Sequence, residues 1–192
     1  MTLIEEMEEY ALINDVPIMQ KEGISFMCSF IKDHNIKNIL EIGSAIGYSA
    51  IRMAMIEPDI HITTIERDDL RYNKAVEYIK RSGLEQQITI IHGDALETEV
   101  SGTYDMLFID AAKAQYIKFF ERYEPLLKEK GYVITDNLKF HGFVEHPELI
   151  QSRNLRGLVR KISNFVEYLK QREDFETIFY DFGDGVGISM KR

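Results

Sequence analysis

This sequence is defined first by what it lacks: it has one cysteine, no tryptophan, no apolar run long enough to cross a bilayer and no excess of positive charge. The lone Cys28 cannot close an intramolecular disulfide, and its apolar neighbours Ile24, Met27 and Ile31 suggest a buried thiol rather than a nucleophile. No stretch reaches membrane-spanning length, and the acidic start (Glu5, Glu6, Glu8, Glu9) lacks the apolar core of a signal peptide, so a cytoplasmic, reducing setting without membrane association is expected. A formal net charge of −9 disfavours sequence-blind binding to phosphate backbones, though it says little about local patches. Repeats, low-complexity segments and linkers are also missing. The 192 residues are therefore expected to form one domain, with a helical cap over 1–35 and a core over 36–192.

What is present is alternation. Apolar periodicity predicts helices over 2–13 and 17–34, broken by Asn14-Asp15-Val16-Pro17. Strands at 38–42, 60–65, 88–91, 105–109 and 132–135 follow, with helices at 47–56, 68–81 and 113–127. A loop over 136–148 leads into a helix at 150–172. Strands at 175–182 and 186–190 then close as a hairpin around Asp181-Phe182-Gly183-Asp184-Gly185. This order predicts an α/β, Rossmann-like fold: a mostly parallel seven-stranded sheet with an antiparallel C-terminal hairpin, helices on both faces and extra N-terminal helices.

The first strand runs through Glu41 and Ile42 into Gly43-Ser44-Ala45-Ile46-Gly47, then a helix. An open α/β sheet builds a nucleotide-sized pocket in this way. The spacing Glu41-x-Gly43-x-x-x-Gly47 differs from the dinucleotide pattern Gly-x-Gly-x-x-Gly, whose second glycine admits a pyrophosphate. A carboxylate so near would repel phosphate but suits a cofactor with a cationic amino-acid tail, such as S-adenosylmethionine. Glu66, ending the second strand, stands where this architecture puts an acid for ribose hydroxyls. A glycine turn alone is equally a tight strand-to-helix connection.

Two further strand ends are acidic, at Asp110 and at Asp136-Asn137. Two carboxylates and an amide oxygen make a hard set of the kind magnesium takes. Equally, Asp136-Asn137 can turn the chain and Asp110 can cap a helix. Lys113, one turn beyond Asp110, should face the same rim. A lysine beside a bound cation has its charged form disfavoured and becomes a usable base, whereas an unpaired one is simply solvated.

Together, Glu41-x-Gly43-x-x-x-Gly47-Tyr48-Ser49, Glu66, Asp110-x-x-Lys113 and Asp136-Asn137 resemble the metal-dependent class I O-methyltransferases, the group of the catechol and caffeoyl-CoA enzymes, over about residues 16–191. The resemblance implies S-adenosylmethionine held at its methionine end by Glu41, Gly43 and Ser49, at the ribose by Glu66 and near adenine by Asp94 and Ala95, with Asp110 also close. It implies magnesium or another divalent cation on Asp110, Asp136 and Asn137, with Lys113 as base beside Asp110. Ile18 and Met19 fall where relatives place a lid over the cofactor, and equally suit core packing. A homodimer is implied as well, with the N-terminal helices serving as cover or contact. None of the five histidines shows metal-ligand spacing.

The absence of tryptophan and the small Ala111-Ala112 argue against a tight, aromatic-walled catechol slot. Leu155, Leu158, Val159, Ile162, Phe165, Val166 and Leu169 make one apolar helical stripe; Arg153, Arg156 and Arg160 fall on the other face. Gly157 is expected to make the first turn irregular. The arginines are either a solvated face or, with Lys139 and His141, a phosphate grip. This segment, with 136–142 and 183–189, looks most like the bacterial tRNA 5-hydroxyuridine methyltransferases. That likeness implies a tRNA anticodon loop as partner and a wobble 5-hydroxyuridine as acceptor; a small catechol-like or phenolic acceptor is the alternative.

Overall fold

Near-continuous apolar runs make the strands, and their burial follows. β1 (Asn38–Ile42) and β4 (Tyr104–Ile109) are buried along almost their whole length, as strands covered on both faces are. The structure is a computed structural model that describes every residue except Phe182. Phe182, placed from the sequence at the end of the sixth strand, lies outside the described residues. The described residues form two compact units, Met1–Val100 and Ser101–Arg192.

In the first unit the strand order is β3-β2-β1: β1 pairs in parallel with β2 (His61–Glu66), and β2 with β3 (Ile88–His92). The register sets Glu41 opposite Thr64 and Glu66 opposite His92. α1 (Leu3–Ile13) opens on a capping box in which Thr2 and Glu5 satisfy each other's backbone N–H. It is followed by α2 (Lys21–Asp33), α3 (Tyr48–Ala54) and α4 (Asp69–Ser82). α3 starts from Gly47 at φ +81°, a left-handed turn that favours glycine. Arg81 of α4 grips Glu6 of α1 through two guanidinium nitrogens at 2.6 and 2.5 Å. Glu8 accepts from the Tyr48 hydroxyl at 2.9 Å and pairs with Lys21 at 2.6 Å, which ties α1 to the first residue of α3.

In the second unit β4 pairs in parallel with β5 (Leu127–Thr135). β7 (Val186–Lys191) runs antiparallel between β5 and β6 (Phe175–Tyr180), giving the order β4-β5-β7-β6. α5 (Tyr116–Tyr123) and α6 (Arg153–Gln171) bury Tyr116, Phe120, Phe165 and Leu169. The Phe165 ring meets Tyr116 edge-on at 5.2 Å and Phe120 at 6.2 Å between centroids. The seven strands are thus the mostly parallel sheet with antiparallel C-terminal strands that the alternation predicts.

Several boundaries differ from expectation. α2 starts at Lys21 rather than at Pro17: the chain is extended at Gln20, and Met19 turns inward, buried against Gly23. The helix expected over 113–127 is three pieces, with 3-10 turns at Lys113–Gln115 and Glu124–Leu126 flanking α5. Pro125 has no N–H to continue the ladder. β5 then begins at Leu127, earlier than its apolar core suggests, and crosses a register shift that puts Lys130 at φ +61°. α6 is regular through Gly157, capped by Ser152, which accepts from the Leu155 N–H. Cys28 is half-buried rather than fully enclosed; its Sγ lies 3.7 Å from the Arg52 carbonyl, and burial pushes the thiol up, away from nucleophilic use. Among the described residues no helix is long and apolar enough to cross a membrane.

Truncating Phe165, which is wholly buried, removes an aromatic that joins α5 to α6. Phe165→Ala is expected to cost about 3–5 kcal/mol, read as a drop in urea midpoint at unchanged m-value.

Candidate active site

The first constellation lies in the Met1–Val100 unit, where β1 and β2 end. Glu41 is wholly buried, and its carboxylate accepts from the hydroxyls of Ser49 and Thr64. The loop that follows takes left-handed backbone at Gly43, Ala45 and Gly47 (φ +96°, +46° and +81°). Four of its amides are engaged within the protein. Gly43 and Ser44 both donate to the Ile65 carbonyl, at 3.0 and 3.1 Å, and Gly47 donates to that of Ser44 at 2.8 Å. Ala45 donates to Glu66 Oε2 at 2.7 Å, while Asp68 N–H meets Glu66 Oε1 at 2.9 Å. A pyrophosphate cradle needs such amides free and pointing at the ligand. This loop offers buried carboxylates instead, a setting for hydroxyls and a cationic group.

One polar atom here is unmet: Ser44 Oγ is the buried side-chain oxygen without a protein partner among the described residues. A loop that closes its amides on itself yet leaves a buried hydroxyl open fits a small polar ligand seated against it. Asp94 caps the turn after β3, accepting from Leu96 N–H at 2.8 Å, with Arg67 at 3.7 Å; Ala95 is buried beside it. Ile18 is half-buried and Met19 buried, the latter filling the space that the missing Gly23 side chain leaves.

The second constellation lies in the Ser101–Arg192 unit, at the ends of β4 and β5. Asp136 is 5% exposed; its Oδ1 accepts from Asn137 N–H at 2.7 Å, and its carbonyl accepts from the Tyr116 hydroxyl at 3.0 Å. Burial, then the charge of Asp110, pushes the Asp136 carboxyl up to about 7. Burial also raises Asp110, with the Lys113 charge opposing, and drives the Tyr116 hydroxyl well above its ordinary range. Lys113 Nζ donates to Asn137 Oδ1 and stands 6.0 Å from the Phe140 ring centroid.

Asp110, Asp136, Asn137 and Lys113 therefore come together in one unit. No group of three His, Cys, Asp or Glu side chains placed to hold a metal occurs among the described residues; the third oxygen here is an amide. Two carboxylates that repel each other in a desolvated site, with an amide oxygen beside them, match a small divalent cation that keeps waters for its remaining positions. Arg153, Arg156 and Arg160 lie exposed on α6, where Arg156 Nε also donates to the Ile150 carbonyl at 2.9 Å. Lys139 is engaged elsewhere, by Glu145 at 3.2 Å and Asp181 at 3.1 Å. Sequence reasoning missed two neighbours of this cluster, Tyr116 and Asp184; the glycines flanking Asp184 were the available signal that its turn packs closely.

The raised Asp136 makes stability depend on pH. The folded state holds that proton up to about 7 while the unfolded chain gives it up in the ordinary carboxylate range, so stability falls as pH rises between the two. Asp136→Asn keeps the acceptor for Asn137 N–H without the charge. In cation-free protein it is expected to melt higher than wild type at pH 8, by a gap that shrinks steadily toward the ordinary carboxylate range; an equal gap at pH 8 and pH 4 would refute this origin.

Comparison with known proteins locates the chain. The O-methyltransferase family profile matches residues 1–192. A provisionally named caffeoyl-CoA O-methyltransferase from Staphylococcus aureus is 44% identical with a TM-score of 0.96, covering 100% of this chain and 93% of that one. A provisionally named caffeoyl-CoA O-methyltransferase from Arabidopsis thaliana is 31% identical over 190 residues, 96% of this chain and 82% of its own. The Podospora anserina methyltransferase PaMTH1, solved with S-adenosylhomocysteine bound, shares the fold at 22% identity and TM-score 0.89, covering 100% of this chain and 88% of that one.

Proposed function

The chain belongs to the O-methyltransferase family, and on that footing we propose that it methylates a hydroxyl lying beside a second oxygen, using S-adenosylmethionine and a divalent cation. The observation that carries this reading is the pairing of Lys113 with the Asp110, Asp136 and Asn137 oxygens. When bound, S-adenosylmethionine supplies an electrophilic methyl group and magnesium a Lewis acid that acidifies a chelated hydroxyl. Glu41, Gly43, Ser49 and Glu66 hold the cofactor's methionine and ribose ends, with Asp94 and Ala95 at its adenine. Asp110, Asp136 and Asn137 hold the cation. Lys113 Nζ takes the hydroxyl proton; the acceptor oxygen then forms its bond to the methyl carbon as the carbon–sulfur bond breaks in line.

The acceptor we propose is the wobble 5-hydroxyuridine of tRNA, converted to 5-methoxyuridine. Its 5-hydroxyl and 4-carbonyl are vicinal oxygens, and an anticodon-loop base is single-stranded and can be splayed out. In support, Arg153, Arg156, Arg160 and Lys161 stand exposed on α6 with no carboxylate partner among the described residues, on a chain of net charge −9. The relatives' names favour a second reading, a small phenolic acceptor.

Nucleoside mass spectrometry of tRNA from cells with and without the gene tests the first reading. Loss of 5-methoxyuridine with 5-hydroxyuridine accumulating is expected, restored by purified protein. An unchanged profile in cells that make 5-methoxyuridine would sink it. Lys113→Met is expected to lower kcat by about 10²–10⁴ with cofactor affinity unchanged. Replacing Arg153, Arg156 and Arg160 by Ala together should raise KM for tRNA and flatten its salt dependence, leaving turnover of a small acceptor intact.

A further inference from the structure

Asp184 is a buried carboxylate, 8% exposed, for which the reaction above has no use. It sits in the turn between β6 and β7, and that turn grips the loop following β5. Asp184 Oδ1 accepts from the His141 N–H, and Oδ2 lies 3.4 Å from Asn137 Nδ2. The carbonyls of Asp184 and Gly185 accept from Lys139 N–H at 2.8 Å and Leu138 N–H at 2.9 Å. Glycine permits the approach: a Cβ on Gly185 would meet Lys139 Cγ at 2.6 Å, and one on Gly187 would meet Leu138 Cδ1 at 2.7 Å.

The gripped loop is strained. Asn137, Phe140 and His141 sit at φ of +61°, +46° and +58°, where side-chain-bearing residues stay only if their surroundings hold them. Within it the Asn137 amide has one sense: Nδ2 faces the Asp184 carboxylate, and Oδ1 accepts from Lys113. A carboxylate only accepts, so it selects the amide nitrogen and turns the oxygen to the side of Lys113 and the proposed cation, the sense that Lys113 also favours.

We infer that Asp184 is a positioning residue that holds this loop and turns Asn137 Oδ1 toward the cation. The inference rests on the cation reading proposed above. Asp184→Asn would keep an acceptor for His141 N–H but present an amide nitrogen to Asn137, favouring the flipped amide. A carboxylate at 137 has no wrong way round, so Asn137→Asp added to Asp184→Asn should undo the damage.

The test titrates metal-free protein with Mn2+ alone, following the free ion by electron paramagnetic resonance. Asp184→Asn is expected to weaken Mn2+ binding about 10–100-fold, and the double variant to restore it to within a few-fold of wild type. Wild-type affinity in Asp184→Asn, or a gain from Asn137→Asp no larger in the Asp184→Asn background than in wild type, overturns the inference; a merely structural Asp184 predicts equal gains from the added charge. Wild-type protein that takes up no Mn2+ would overturn the cation reading, and Asp184 is then judged by amide hydrogen exchange. There, Asp184→Ala is expected to speed exchange at His141 at least tenfold, and unchanged protection overturns the hold on the loop.

Discussion

Carboxylates buried at strand ends are the constraint that this fold is arranged around. An ionised carboxyl out of water must be answered by donors or by opposite charge. In the first unit the answer is complete: two hydroxyls donate to Glu41, and two backbone amides to Glu66. In the second it is partial. Asp136 has one backbone N–H and the Lys113 charge set against burial and the charges of Asp110 and Asp184, and its carboxyl stands at about 7. Residual repulsion at one cluster and full satisfaction at the other set the two apart electrostatically.

Rigidity follows the same division. The Gly43–Gly47 loop is held mainly by the end of β2, where the Ile65 carbonyl and the Glu66 carboxylate accept from Gly43, Ser44 and Ala45. The loop after β5 closes partly on itself, with Phe143, Val144 and His146 N–H donating to the Phe140, Lys139 and Gly142 carbonyls, and is braced from the β6–β7 turn. Three of its residues are left-handed without being glycine, and the β6–β7 turn supplies the restraint from across the strand pairing. The β6–β7 turn thereby braces the loop after β5, and the hairpin is not only an edge to the sheet.

Much of this was legible in the sequence because strand-end chemistry is local. Glu66, Asp110 and Asp136 each close an apolar run, Glu41 stands one residue before the end of another, and the period-two and helical patterns place the elements within a few residues. What escaped were tertiary decisions. Met19 turns inward and delays α2 by four residues relative to Pro17, although its local sequence allows helix. Lys128-Glu129-Lys130 reads as loop yet opens β5, because pairing of Leu127 with Tyr104 holds the strand's start. Gly157 favours an irregular first turn by its propensity, but the stripe of Val159, Ile162, Phe165 and Leu169 holds the helix regular through it. Asp184 reaches Asn137 across 47 residues, a distance no spacing rule spans.

The closed loop after β1 also bears on life among competitors. A cell holds adenine nucleotides and dinucleotides in abundance, and each shares its adenosine half with S-adenosylmethionine. A turn whose Gly43, Ser44, Ala45 and Gly47 amides are already taken offers a phosphate chain few donors, and buried carboxylates beside it oppose that chain's charge. On the cofactor reading proposed above, discrimination would lie in the backbone itself: what the loop withholds from ATP would cost it little with a zwitterionic guest.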